Sequence, residues 1–136
     1  MLAPKRTKHR KGQKGRSRQR DVETRGTELR FGSYGLQAMS MAYVDSKQLE
    51  AGRKAITHLT KRGGKMWIRI FPDKPISQRP PELTMGGGKG AVDHYVFPVK
   101  PGRIIYEVDG LTEEVARQAL RRAAFKMPVK CRIVKK

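Results

Sequence analysis

The chain has 136 residues, with 31 Lys and Arg against 12 Asp and Glu, a formal net charge of +19. That length suits one domain with a real core, and so self-repelling a charge points to a polyanionic partner, nucleic acid first and an anionic membrane surface second. No stretch approaches the roughly 20 apolar residues of a membrane span, the start Met-Leu-Ala-Pro-Lys-Arg lacks the apolar segment of a secretory signal, and the lone Cys131 allows no internal disulfide and fits a reducing compartment.

Residues 1–27 read as an extended basic tail. They hold ten basic residues, two acidic ones and only Met1, Leu2, Ala3 and Val22 as apolar residues, too few to fold alone. Arg-rich and acid-poor, the first 20 residues share the composition of a transit peptide, but Pro4, Gly12 and Gly15 would break its amphipathic helix. The other 109 residues carry 21 basic and 10 acidic residues, so the positive surface continues onto a folded body at 28–136.

Leu29 to Val44 is strand-like, interrupted by Gly32 and Gly35. A helix then begins at Asp45 or Ser46, with Gln48 completing a loose capping box. Leu49, Gly52, Ile56 and Leu59 form its buried stripe. Lys47, Lys54 and Lys61 fall seven apart on another face, flanked by Arg53, His58 and Arg62, with a Glu50–Lys54 pair at i,i+4. Gly63-Gly64-Lys-Met-Trp-Ile-Arg-Ile-Phe-Pro72-Asp-Lys74 is the densest apolar and aromatic run and reads as the central strand of the sheet, with Arg69 on an otherwise uncharged face. Pro72 to Gly90 reads as a long Gly/Pro loop. Ala91–Val99 and Arg103–Asp109 read as two strands of a hairpin turning at Pro101-Gly102. Thr112 caps a second helix with Ala116, Ala119, Leu120, Ala123 and Met127 on its apolar face, ended by Pro128, and Val129–Val134 is a last strand. The expected architecture is α+β, a mostly antiparallel sheet packed against two helices, with the tail and the long loop as appendages.

The motifs argue against catalysis. Gly86-Gly87-Gly88-Lys89-Gly90 imitates a phosphate-binding loop, but a Walker loop needs Gly where Leu83 stands and Ser or Thr where Gly90 stands. His9, His58 and His94 are scattered, and one cysteine makes no zinc spacing. No cofactor or metal is expected. What remains is basic: the tail residues Lys5, Arg6, Lys8, Arg10, Lys11, Lys14, Arg16 and Arg18, then Arg69, Lys74, and Arg79 and Lys89 in the loop, all candidate RNA contacts. Glycines beside them allow backbone amides to approach phosphates closely, and Arg adds bidentate and stacking contacts.

Met-Leu-Ala-Pro-Lys-Arg-Thr-Lys-His-Arg-Lys at 1–11, Phe-Gly-Ser-Tyr-Gly-Leu at 31–36, Gln-Leu-Glu-Ala-Gly-Arg-Lys-Ala at 48–55, Gly-Gly-Lys-Met-Trp-Ile-Arg-Ile-Phe-Pro-Asp-Lys-Pro at 63–75, Met-Gly-Gly-Gly-Lys-Gly at 85–90, Val-Lys-Pro-Gly-Arg at 99–103 and Lys-Met-Pro-Val-Lys at 126–130 resemble, in order along nearly the whole chain, the bacterial-type large-subunit ribosomal protein sixteen family. The resemblance implies a structural protein of the cytoplasmic or organellar ribosome, bound to large-subunit rRNA between the central protuberance and the peptidyl-transferase region. It implies contact with neighbouring ribosomal proteins and no homo-oligomer. By the resemblance, Lys5, Arg6, Lys8, Arg10, Lys11 and Lys89 contact rRNA. Arg53, Lys54 and Arg62 face the aminoacyl-site tRNA, with peptidyl-site tRNA a second candidate. Thr84 stands where the family commonly has Arg, and Gly87 where it commonly has Lys, so the loop tip has two fewer cations; Val44-Asp45-Ser46 departs from the usual hydrophobic-Thr lead into the first helix. Two other classes compete: a sequence-indifferent nucleic-acid-binding protein outside the ribosome, and a cationic membrane-active protein, which the alanine-built second helix disfavours.

Overall fold

A computed structural model of the chain describes residues 2–15, 21–61 and 63–136. Among these described residues, seven strands and two helices follow in the order β1 (Tyr34–Ala38), β2 (Ala42–Asp45), α1 (Ser46–Thr60), β3 (Lys65–Ile68), β4 (Lys74–Ser77), β5 (Val92–Val99), β6 (Ile104–Asp109), α2 (Glu113–Ala124) and β7 (Cys131–Lys135). The fold is α+β, but its strands form two antiparallel sheets: β3-β6-β1-β7 and β2-β5-β4.

Local chemistry sets the helix starts. Asp45 caps α1 in extended conformation, and its N–H donates to Gln48 Oε1 at 3.0 Å, closing the expected capping box. Glu113 and Glu114 occupy the first turn of α2, where carboxylates oppose the positive end of the helix dipole. The helices pack on each other and cover one face of the four-stranded sheet. Leu36, Leu49, Ile56, Tyr106, Val108, Ala116, Ala119, Leu120 and Ala123 fill the space between them.

Three sequence expectations are corrected. The 63–74 run is not the central strand: β3 covers only Lys65–Ile68 and lies at a sheet edge. The internal positions belong to β6 and β1; Ile104 to Val108 of β6 are all buried because helices cover one face and residues 23–32 cross the other. Apolar density pointed to 63–74, while Glu107 disguised the continuous burial of β6. The chain does turn at Pro101-Gly102, but β5 and β6 do not pair. Gly102 N–H donates to Ala38 O at 2.7 Å and Ala38 N–H to Arg103 O at 2.8 Å, so β6 enters alongside β1 while β5 stays with β2 and β4. The Pro72–Gly90 loop contains a strand, since Lys74–Ser77 pairs with β5 and shortens the irregular part.

Close packing accounts for Gly52. Tyr106 crosses from β6 to donate its buried hydroxyl to Leu49 O at 2.7 Å. A Cβ at Gly52 would overlap that hydroxyl and stand 3.0 Å from Tyr106 Cζ and 3.1 Å from Met127 Cε. Gly52→Ala gains about 1 kcal/mol of helix propensity, but the pinned phenol cannot swing away, and overpacking costs about 1–3 kcal/mol. The expected net result is a lower midpoint in urea denaturation; a higher one would show that the ring yields.

Candidate nucleic-acid interface

The second sheet assembles the first cationic surface. Lys5, Arg6, Lys8, Arg10, Lys11 and Lys14 are exposed along a segment without helix or strand. That segment is tied to the body: Gly12 lies over Pro75 of β4, within 3.6 Å of its Cγ for a Cβ built there, and Tyr43 of β2 donates its hydroxyl to Lys14 O at 3.4 Å. Lys11 Nζ donates to Lys89 O at 2.7 Å, and Lys89 Nζ returns a bond to Gly12 O. Tail and glycine loop, 78 residues apart in sequence, are therefore cross-tied. Lys74 joins them from β4, with Nζ 3.1 Å from Tyr43 Oη, to which it donates, and 5.2 Å from the ring centroid. Arg79 donates to Gly86 O and closes the base of the loop. Beyond it Gly86, Gly87 and Gly88 all adopt positive φ, a succession that side chains would resist, and it bares the backbone at the tip.

The second surface is the outer face of α1. Arg53, Lys54, Thr57, His58 and Lys61 line one shallow groove. The expected Glu50–Lys54 pair gives way to Arg53, whose guanidinium donates Nε and Nη2 to Glu50 at 2.9 and 2.6 Å. That hydrogen bond holds the Glu50 carboxyl below its ordinary range. Arg's planar fork grips a carboxylate with two parallel bonds, which an ammonium cannot match. The result leaves Lys54 exposed.

Arg69 differs from its reading on an uncharged face. It sits across from Glu107, which is fully buried, and the two form an ion pair. Glu107 also accepts N–H bonds from Phe31 at 2.7 Å, Gly32 at 2.8 Å and Arg30 at 3.3 Å. Burial pushes this carboxyl up, but the Gly32, Phe31 and Arg30 amides and the Arg69 guanidinium outweigh it and hold it below the usual range. Arg69 is thus partly committed to structure. Arg16, Arg18 and Arg62 lie outside the described residues.

Sequence reading passed over Arg25, Arg30 and Arg103. Arg103 reaches the carbonyl of Arg25 at 2.9 Å and stands 5.2 Å from the Phe97 ring centroid. Tyr43 was also missed, although an aromatic alternating with Ala42 and Val44 on a short strand is the pattern that could have flagged it. No group of three metal-ligating side chains occurs among the described residues. Burial pushes the Cys131 thiol up to about 11, far from a reactive thiolate. No helix among the described residues is long and apolar enough to cross a membrane.

The model of the family described as "Ribosomal protein L16p/L10e" matches residues 4–134. The chain is 54% identical over 135 residues to the large ribosomal subunit protein uL16c of Zygnema circumcarinatum, covering 99% of this chain and 94% of that protein. It is also 54% identical over 136 residues to the large ribosomal subunit protein uL16 of Alkalilimnicola ehrlichii, covering 100% of this chain and 98% of that one. A third relative, uL16c of Physcomitrium patens, is 53% identical over 134 residues, with 98% and 96% covered. On these matches, the chain belongs to the ribosomal protein L16p/L10e family.

Proposed function

We propose that this chain is a structural, non-enzymatic constituent of the large ribosomal subunit, in the cytoplasm or an organelle, that binds large-subunit rRNA and helps to position aminoacyl-site tRNA. Family membership and relatives named as large-subunit proteins support the ribosomal part. The observation that carries the rRNA part is the reciprocal tie between Lys11 and Lys89. It gathers the tail, β4 and the glycine loop into one positive surface that a folded polyanion can meet at once, and such contacts fix position without reading sequence. The α1 groove, with its row of cations away from the sheet, suits a second RNA such as tRNA.

The two roles separate experimentally. Large subunits depleted of the protein are rebuilt with the wild-type chain or with Arg53→Glu and Lys54→Glu together. The double variant is expected to sediment with the subunit in moderate salt and to lower aminoacyl-site tRNA affinity about tenfold. Its own stability should fall by less than about 1 kcal/mol, since both side chains are at least partly solvated and the lost Glu50 pair is a surface one. Unchanged affinity at the aminoacyl site would mean that α1 faces something other than that tRNA; a parallel assay at the peptidyl site reads the second candidate.

A further inference from the structure

One exposed feature lies apart from the tail, the loop and α1. Phe31 is 56% exposed, yet its backbone is firmly held by the 2.7 Å bond from its N–H to Glu107, with the Gly32 N–H alongside. Its ring stacks on Trp67, with centroids 5.9 Å apart and planes 22° from parallel. The Arg69 guanidinium carbon stands 5.1 Å from the centroid of the same ring. Trp67 and Arg69 are alternate residues at the sheet edge, so both project to one side of the chain there. Phe31 lies across the two of them and keeps the rest of its surface in solvent.

An isolated aromatic ring gains by folding down onto apolar neighbours. Here the Glu107 bonds hold the backbone, an indole and a guanidinium contact the ring, and more than half of the residue still stays in solvent. The hollow beside it is lined by Arg25, Arg30 and Arg69 together with Thr24 and Glu28. That lining, completed by Gly26 and Thr27, holds no large apolar side chain of the kind that a protein-binding patch would place there. Two guanidiniums beyond the Arg69–Glu107 pair, against the single carboxylate of Glu28, in a chain of net charge +19, select RNA instead.

Resting on the rRNA-binding reading above, we propose that Phe31, backed by Trp67 and Arg69, is a stacking platform for a single unpaired base of the large-subunit rRNA. Single-stranded loops and bulges offer such bases, and aromatic and guanidinium planes are the groups that stack on them. Arg25 and Arg30 are placed to meet the flanking phosphates.

The test uses the full-length chain carrying the photo-crosslinking residue benzoylphenylalanine at position 31, rebuilt into depleted large subunits. The expected result is a crosslink to one rRNA nucleotide. Phe31→Leu, which removes the ring but leaves the backbone anchor to Glu107, should still co-sediment. It should raise 2′-hydroxyl acylation of that nucleotide about 5-fold or more, the equilibrium change expected when one base–aromatic stack is lost. Phe31→Tyr should restore the wild-type level. A crosslink confined to a neighbouring protein, no crosslink from a chain that co-sediments, or unchanged acylation in Phe31→Leu would each overturn the platform and leave rRNA binding standing. If the unmodified chain itself fails to co-sediment, the rRNA-binding reading falls and the platform falls with it.

Discussion

Replacing Glu107 by alanine is expected to lower the unfolding free energy by about 3–5 kcal/mol, the usual cost of removing one partner from a buried ion pair. The side chain is fully buried on the internal strand β6 and serves four donors: the amides of Arg30, Phe31 and Gly32 and the Arg69 guanidinium. Removing it strands a guanidinium that is 14% exposed and three amides in the space between β6 and the crossing segment. Urea denaturation at neutral pH measures the loss; a change below about 1 kcal/mol would place this carboxylate among solvated surface pairs. Acid provides a second check. The folded carboxyl ionises below its ordinary value of 4.5, so its stabilisation is complete above that pH and drains away as pH falls through the lower folded value. Glu107→Gln should therefore start less stable at pH 7 and lose less on acidification than the wild type. Parallel pH curves would assign the acid limb to Glu50, Asp109 and Glu113, whose carboxyls are also held low.

Deleting residues 2–15 is expected to have the largest effect on RNA binding. The segment carries six cations, Lys5, Arg6, Lys8, Arg10, Lys11 and Lys14. If each neutralises one phosphate, the slope of log affinity for large-subunit rRNA against log salt should become shallower by about 4–5, at 0.7–0.9 per contact. Lys11→Ala with Lys89→Ala separates charge from placement. It removes two cations and also unties tail from loop, so a loss beyond two contacts' worth of slope and affinity would measure the value of holding the tail in place. A truncated chain that keeps the full slope would mean that the body alone meets the phosphates.

The elements whose chemistry is local could be read from residues. Asp45 and Gln48 marked the start of α1, Glu113 and Glu114 the first turn of α2, and the alanine stripe its buried face. Strand partnership could not be read so, because it depends on which backbone groups are already claimed elsewhere. Pro101-Gly102 signals a reversal but is silent on whether β6 pairs with β5 or with β1. Glu107 carries the same lesson at the level of the site. A lone acid in an apolar run looks like a surface position until the amides of residues 30–32, some 75 positions earlier, are folded onto it. The candidate cations were legible as types; that Lys11 and Lys89 hold each other, and that Arg53 rather than Lys54 takes Glu50, follows only from three-dimensional proximity.

Each lysine of the Lys11–Lys89 tie donates to a peptide carbonyl, an acceptor with no formal charge, so neither ammonium is cancelled. Dissolved ions weaken attraction between opposite charges far more than they weaken a bond to a neutral dipole. The posture of the tail is thus insulated from ionic strength while its pull on phosphate is not. On the rRNA-binding proposal, a polyanion stripped away by salt would find the same arrangement of cations waiting when the salt is withdrawn.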